Sequence, residues 1–310
     1  MKHGSTSHPR IWAVGGGKGG VGKSVIAANL GVVLAESGHR VVLVDADLGG
    51  ANLHTLLGIA NPQATLSDFI ARRVKKLDEI MMPTADEQLW LVSGARALLE
   101  MANPKHTQKT KILRHVSALP ADHVILDLGA GSAFNVLDFF LAARRGILVV
   151  TPEATSVENA YHFLKAAFFR KLKRAEPRHR VRTAINQAMQ EREGRPIRSP
   201  RDLITQVMLI DPIAGAGVLA ESSTFNPALL VNRIERPDDH KLGTEICTAC
   251  RDYFGNEMGC LGHIPTDRLL ARSVQERRPA AMLYPESPFV RSLRSITHLL
   301  TDIEEVDLAG

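Results

Sequence analysis

One glycine-rich stretch near the start of the chain, Gly15-Gly16-Gly17-Lys18-Gly19-Gly20-Val21-Gly22-Lys23-Ser24, restricts the possible folds more than anything else in the 310 residues. It lies between an apolar run, Ile11-Trp12-Ala13-Val14, and a helix-like stretch from Ser24 to Ser37 that Gly38 is placed to cap. A buried strand, a glycine turn and a helix opening at Gly-Lys-Ser form the setting of a phosphate-binding loop. Such glycines let backbone N–H groups converge on phosphate oxygens, and the helix N-terminus adds partial positive charge. Gly17, Gly19, Gly20, Val21 and Gly22 are therefore expected around the phosphates. Lys23 is expected at the β- and γ-phosphates and the Ser24 hydroxyl on Mg²⁺, which makes ATP and Mg²⁺ the expected ligands.

The remaining pattern agrees with such a loop. Val41-Val42-Leu43-Val44 is continuous and mostly β-branched, as in a central parallel strand. Similar runs recur at Leu89 to Val92, Val124 to Leu128, Ile147 to Val150 and Ala228 to Val231, with helical segments between most of them. The expected fold is α/β, a mostly parallel sheet flanked by helices on both faces. The length and a hydrophobic fraction of 45 % suffice for one large core. Met1 to Arg10 is polar and expected to be disordered, leaving 11–310 as a single domain. An insertion is expected at about 170–225, where Arg170, Lys171, Lys173, Arg174, Arg178, Arg180 and Arg182 cluster. Within it, a helix is predicted over Thr183 to Arg192 and a second from Pro200, loosely ended by Gly215 and Gly217.

A net charge of +5 points only weakly to an acidic partner. Three cysteines, Cys247, Cys250 and Cys260, suit a reducing cytoplasm better than a disulfide framework. No apolar run approaches the ~18 residues of a membrane span.

Lys18, a second lysine right after the first motif glycine, makes Gly17 to Ser24 similar to the deviant Walker A loop of the MinD/ParA class of ATPases. The resemblance implies that Lys18 reaches across a dimer to the other subunit's nucleotide. Val44-Asp45-Ala46-Asp47-Leu48 leaves a strand at the edge where open α/β sheets bind ligands and resembles switch I of that class. By that match Asp47 orients the attacking water and Asp45 supports the Mg²⁺ shell. Asp127-Leu128-Gly129-Ala130-Gly131 resembles Walker B with switch II, so Asp127 is expected on Mg²⁺ and the Gly129 N–H at the γ-phosphate. Asn232, with Arg233 beside it, is similar to the segment that reads adenine, and Pro265 to the residue that packs the base.

Thr151 to Ser156, Ser273 to Pro279 and Tyr284 to Pro288 bring the chain nearest the FlhG/FleN branch of the class, which governs flagellar number and placement. The resemblance implies slow Mg²⁺-dependent ATP hydrolysis, a homodimer with ATP, and a switch that positions a cellular structure through a protein partner. It also implies a cytoplasmic protein, with recruitment to the inner face of the membrane open. Two alternatives stay open: a ParA-like partition ATPase using nonspecific DNA, and an Mrp-like iron–sulfur carrier. Cys247-Thr248-Ala249-Cys250 and Cys260 with His263 have metal-ligand spacing, but Leu242 to Phe254 reads as a helix with Cys247 and Cys250 facing inward. Phe289, Leu293, Ile296 and Leu300 recur at helical spacing and read as a helix packed on the core, with a lipid-facing helix as the alternative.

Overall fold

The apolar runs marked as strands all join one sheet. In a computed structural model that describes residues 8–94, 104–174, 183, 185 and 199–309, eight strands hydrogen-bond in the order β3-β4-β2-β5-β1-β6-β7-β8. They are β1 (Arg10–Gly15), β2 (Val41–Asp45), β3 (Met82–Pro83), β4 (Leu89–Val92), β5 (His123–Asp127), β6 (Arg145–Val150), β7 (Ala228–Ile234) and β8 (Gly259–Pro265). All pairings are parallel except that of the two-residue edge strand β3 with β4. Strand β1 begins at Arg10, inside the segment expected to be disordered; Met1 to Ser7 lie outside the described residues.

Alternation along each strand builds two cores. Trp12, Val14, Leu43, Ile125 and Val149 face one side, and Ala13, Val42, Val44, Leu126 and Val150 the other. Helices cover both faces, which is why the strands read as unbroken apolar runs. Helix α1 (Lys23–Glu36) is buried nearly all round. Short helices α2 (Leu53–Leu56) and α3 (Leu66–Ile70) follow β2, and α4 (His106–Val116), α5 (Phe134–Ala142) and α6 (Ala154–Arg174) alternate with β5 and β6. One buried carboxylate ties these last three helices together. Asp138 on α5 accepts from Lys109 of α4 at 2.6 Å, from Arg170 of α6 at 2.6 and 2.7 Å, and from Arg174 at 3.2 Å.

The expected insertion contains α7 (Pro200–Ile210) and α8 (Pro212–Ser223). The second helix expected there does start at Pro200, set by a capping box between Ser199 and Asp202. The expectation that Gly215 and Gly217 loosely end it is wrong, because both lie inside α8. Asp211 stops α7 and caps α8, its Oδ1 accepting from Ile213 and Ala214 N–H at 3.1 Å. Gly215 is a contact point: a Cβ there would lie 2.3 Å from Met208, so glycine lets the helices touch. The helix expected over Thr183 to Arg192 lies mostly outside the described residues, as do Arg178, Arg180 and Arg182. In the described part, Arg170 and Arg174 bind Asp138 and Lys171 binds Glu221, so three of the cluster's four described cations pair within the chain.

The chain closes with α9 (Leu242–Phe254), α10 (Arg268–Gln275), α11 (Ala280–Leu283) and α12 (Pro288–Ala309). Phe289, Leu293, Ile296 and Leu300 of α12 are at most 4 % exposed and pack in the core beside α1. The helix therefore has no free apolar stripe along these residues. Among the described residues no helix is long and apolar enough to cross a membrane.

Candidate functional site

The carboxyl ends of β1, β2 and β5 meet at one edge of the sheet. Register pairs Val14 with Asp127 and Asp45 with Asp127, so the turn after β1 and the acids of both neighbouring strands are adjacent by construction. That turn doubles back through two positions only glycine suits. Gly17 passes so close to α6 that a Cβ would lie 2.1 Å from the Asn159 carbonyl oxygen. Gly22 has φ 100°, and a Cβ would lie 2.5 Å from Asn232 Nδ2. Helix α1 then starts with no side-chain cap and no acid in its first turn. Its first N–H groups and partial positive charge stay available for an anion.

Lys23 is only 7 % exposed, and its Nζ donates to the Lys18 carbonyl oxygen at 3.4 Å inside the loop. Burial lowers its pKa, against the pull of Asp127 and Asp47. Ser24 lies beside Asp127 and works against the effect of burial on its carboxyl. Asp127 is 1 % exposed, yet its Oδ1 has no partner. Burial, and then the neighbouring Asp45, push its pKa up to about 8. Asp45 is likewise pushed up to about 7 by burial, although both its oxygens are occupied. Oδ2 accepts from Leu53 N–H at 3.0 Å and Oδ1 from Asp47 N–H at 3.3 Å. Asp45 thus pins α2 and the turn holding Asp47, while Asp127 carries the orphaned oxygen. A buried carboxylate without a partner calls for a cation. The all-oxygen donor set of Ser24, Asp127 and phosphate suits Mg²⁺, with Asp45 behind it.

Asp47 bridges the loops after β2 and β5. Its Oδ1 accepts from Gly49 and Gly50 N–H at 3.3 and 3.0 Å. A Cβ on Gly129 would lie 3.1 Å from that same oxygen, so the loops after β2 and β5 touch. Gly131 N–H in turn donates to the Gly16 carbonyl oxygen at 3.3 Å, linking the loop after β5 to the phosphate loop.

Lys18 points away from Lys23. Its ammonium pairs with Glu153 and donates to Thr155 Oγ1 at 3.0 Å, both at the start of α6. That contact holds the Glu153 carboxyl below its usual range. No sequence motif gave Glu153 or Thr155 a part in this site. The available signal was position, since both follow directly from the carboxyl end of a parallel strand.

At the other side of the loop, Asn232 is 2 % exposed and its Nδ2 donates to the Val21 carbonyl oxygen at 2.8 Å. Its Oδ1 is buried without a partner. Arg233 is exposed and adopts a left-handed φ of 59°, a conformation that costs free energy for a residue with a Cβ. A register shift between Asn232 and Ile234 accommodates it, and Pro265 ends β8 opposite Ile234. The carboxyl end of β7 therefore lies directly beside the loop.

A phosphate loop opening an uncapped helix, with two buried acids at the ends of adjacent parallel strands, defines a P-loop nucleotide-binding protein. Residues 12–280 match the CobQ/CobB/MinD/ParA nucleotide-binding domain, and the chain belongs to that family of ATPases, which take ATP with Mg²⁺. It is 32 % identical over 235 residues to the antiactivator FleN of Pseudomonas aeruginosa, covering 75 % of this chain and 81 % of FleN. It is also 32 % identical over 162 residues to the flagellum site-determining protein YlxH of Helicobacter pylori, spanning about half of each, 49 % and 52 %. The septum site-determining protein MinD of Pyrococcus horikoshii, solved with Mg-ADP, shares the fold with a TM-score of 0.64 at 22 % identity, over 97 % of this chain and 98 % of that one.

Proposed function

We propose that the chain is an ATP-driven dimerising switch of the FlhG/FleN kind, which positions or limits assembly of a cellular structure. The observation that carries this reading is the divergence of two lysines from one loop. Lys23 lies inside, where a triphosphate sits, and Lys18 lies outside on Glu153 and Thr155. A lysine outside its own pocket is free to neutralise phosphate charge in a second copy.

In this reading Gly17, Gly19, Gly20, Val21 and Gly22 bind phosphate through the backbone, and Lys23 draws in the β- and γ-phosphates. Ser24 and Asp127 would hold Mg²⁺, with Asp45 bracing them, and the ion would supply neutralisation of the triphosphate charge. Asp47 orients the attacking water, and the Gly129 N–H meets the γ-phosphate. Asn232 offers its unpartnered Oδ1 to the exocyclic amine of adenine, with Arg233 and Pro265 around the base. ATP shifts the monomer–dimer balance only through its differential affinity for the two states, and hydrolysis resets it.

Residues 11–310 act as one domain, with the segment at about 170–225 as an elaboration free to meet a protein partner. The proposed location is the cytoplasm, with any membrane recruitment peripheral at its inner face and requiring a surface other than α12, whose apolar residues are already buried. Nonspecific DNA is disfavoured by the internal pairing of Arg170, Lys171 and Arg174.

The test is Asp47→Ala loaded with ATP and Mg²⁺. Turnover should disappear while ATP stays bound in a long-lived dimer, which then serves as bait for the partner. Unchanged turnover removes Asp47 from the chemistry and with it the switch reading.

A further inference from the structure

The nucleotide site makes no use of the hairpin formed by α7 and α8. The inner residues of that hairpin follow helical spacing: Leu203, Ile204 and Val207 of α7, and Ala214 and Val218 of α8, are buried in the core. This face holds the hairpin to the domain, and Gly215 against Met208 closes the two helices on each other. Leu209, Ile210 and Ile213 are left over. They flank the Asp211-Pro212 turn, and Leu209 and Ile213 are each 74 % exposed, more than any other large apolar side chain among the described residues. From Leu203 to Ala220 the one charged side chain is Asp211.

The turn has also used up its own polar groups. Asp211 N–H donates to the Val207 carbonyl oxygen and Gly215 N–H to the Asp211 carbonyl oxygen, both at 2.8 Å. Ile213 and Ala214 N–H both donate to Asp211 Oδ1 at 3.1 Å. Pro212 has no N–H. Every backbone N–H from Asp211 to Gly215 therefore has an acceptor within the hairpin. The Asp211 carboxylate is turned onto the start of α8, where the partial positive charge of the helix offsets its own.

We infer that the α7–α8 turn is a lipid-inserting tip, which seats Leu209, Ile210 and Ile213 among the upper acyl chains of an anionic bilayer. Entry into that region requires backbone groups paired internally, as they are here. A projecting apolar turn offers a protein partner no groove, whereas a bilayer needs none. The net charge of +5, with Arg201 exposed at the base of the hairpin, favours an anionic headgroup surface over a neutral one. Arg201 precedes Ile210 by nine residues of α7, which at the helical rise puts it about 14 Å back along the axis. With the tip ~5–10 Å below the headgroup boundary, Arg201 stays among the headgroups. The inference rests on the switch reading above for its partner, since it names the surface that recruitment needs once the apolar residues of α12 are buried. Insertion itself needs no nucleotide, and an ATP dimer would present two tips and bind more tightly.

The test sediments the full-length protein with vesicles of phosphatidylglycerol and phosphatidylcholine, and of phosphatidylcholine alone, with and without ATP and Mg²⁺. Wild type should bind the anionic vesicles, more tightly with ATP and less tightly in high salt. Leu209→Asp combined with Ile213→Asp should weaken binding about a hundredfold, with ATP turnover and the denaturation midpoint unchanged. Ile213→Trp should add blue-shifted emission on vesicles, quenched by lipids brominated in the upper acyl chain; the native Trp12 and Trp90 lie in the sheet and serve as the baseline. Wild type that ignores anionic vesicles, binding that the double variant keeps, or Ile213→Trp emission that does not move overturns the inference. So does self-association without vesicles that the double variant loses, which assigns the patch to a second copy. Tip-dependent binding indifferent to ATP would instead count against the dimerising switch and leave the lipid-inserting tip standing.

Discussion

Asp127 and Asp138 are both buried carboxylates, 1 % and 4 % exposed, and the molecule treats them in opposite ways. Asp138 is met by Lys109, Arg170 and Arg174; burial alone would raise its pKa, but the Arg170 and Lys109 hydrogen bonds outweigh burial and lower it. Asp127 keeps one oxygen with no partner, and burial pushes its pKa to about 8. One carboxylate has been completed by the chain and the other left for something the chain does not contain. The contrast separates a structural ion cluster from a ligand site without reference to any motif.

The largest expected effect falls on the completed cluster. Asp138→Ala leaves three cations around an empty position and should cost ~3–5 kcal/mol of stability, read as a lower urea midpoint. Asp127→Asn should instead leave the nucleotide-free fold as stable or more so, while removing Mg²⁺-dependent ATP turnover. Equal destabilisation by both would erase the distinction.

Acid–base behaviour gives the next largest effect. Asp127 and Asp45 have folded pKa values of about 8 and about 7, above the ~3.9 of an unfolded aspartate. The folded state therefore binds more protons across that window. Stability is undiminished below pH ~4 and falls as pH rises toward about 8. Asp127→Asn should flatten this slope, and ATP with Mg²⁺ should too. His123, at the opposite end of the sheet, has the reverse sign. Burial, with His39 and Arg10 nearby, lowers it to about 4 from an unfolded ~6.5. Its contribution is present above pH ~6.5 and lost as pH falls toward 4. His123→Gln should flatten the acid limb only. Denaturation midpoints at several pH values resolve both limbs.

The smallest effect concerns the exposed pair of Lys18 and Glu153. Glu153→Gln should leave the denaturation midpoint unmoved, since an exposed ion pair contributes little. It should lower the ATP concentration needed for dimerisation by freeing Lys18. An unchanged ATP requirement would mean that the pair does not restrain the lysine.

These two carboxylates also mark how far the sequence could be read. Asp127 was legible because its strand, its glycine turn and the phosphate loop are each local patterns, and strand register then places them together. Asp138 was not, because its partners lie 29, 32 and 36 residues away on other helices and no periodicity links them. Glu153 was missed for the same reason, being 135 residues from Lys18. Gly215 and Gly217 misled because glycine favours helix ends, whereas both lie inside α8, where Gly215 packs closely against Met208. Cys247 and Cys250 were legible as residues of one helix, since Leu242 to Phe254 forms α9 with Cys250 buried and Cys247 half-buried.

The central claim is that two lysines of one loop serve two nucleotides. Light scattering of purified wild type and Lys18→Ala, each with ATP and Mg²⁺, tests it most directly, alongside a binding assay for ATP. Wild type should become a dimer, and Lys18→Ala should bind ATP yet remain a monomer. A Lys18→Ala protein that dimerises normally, or a wild type that stays monomeric with ATP bound, would contradict the claim.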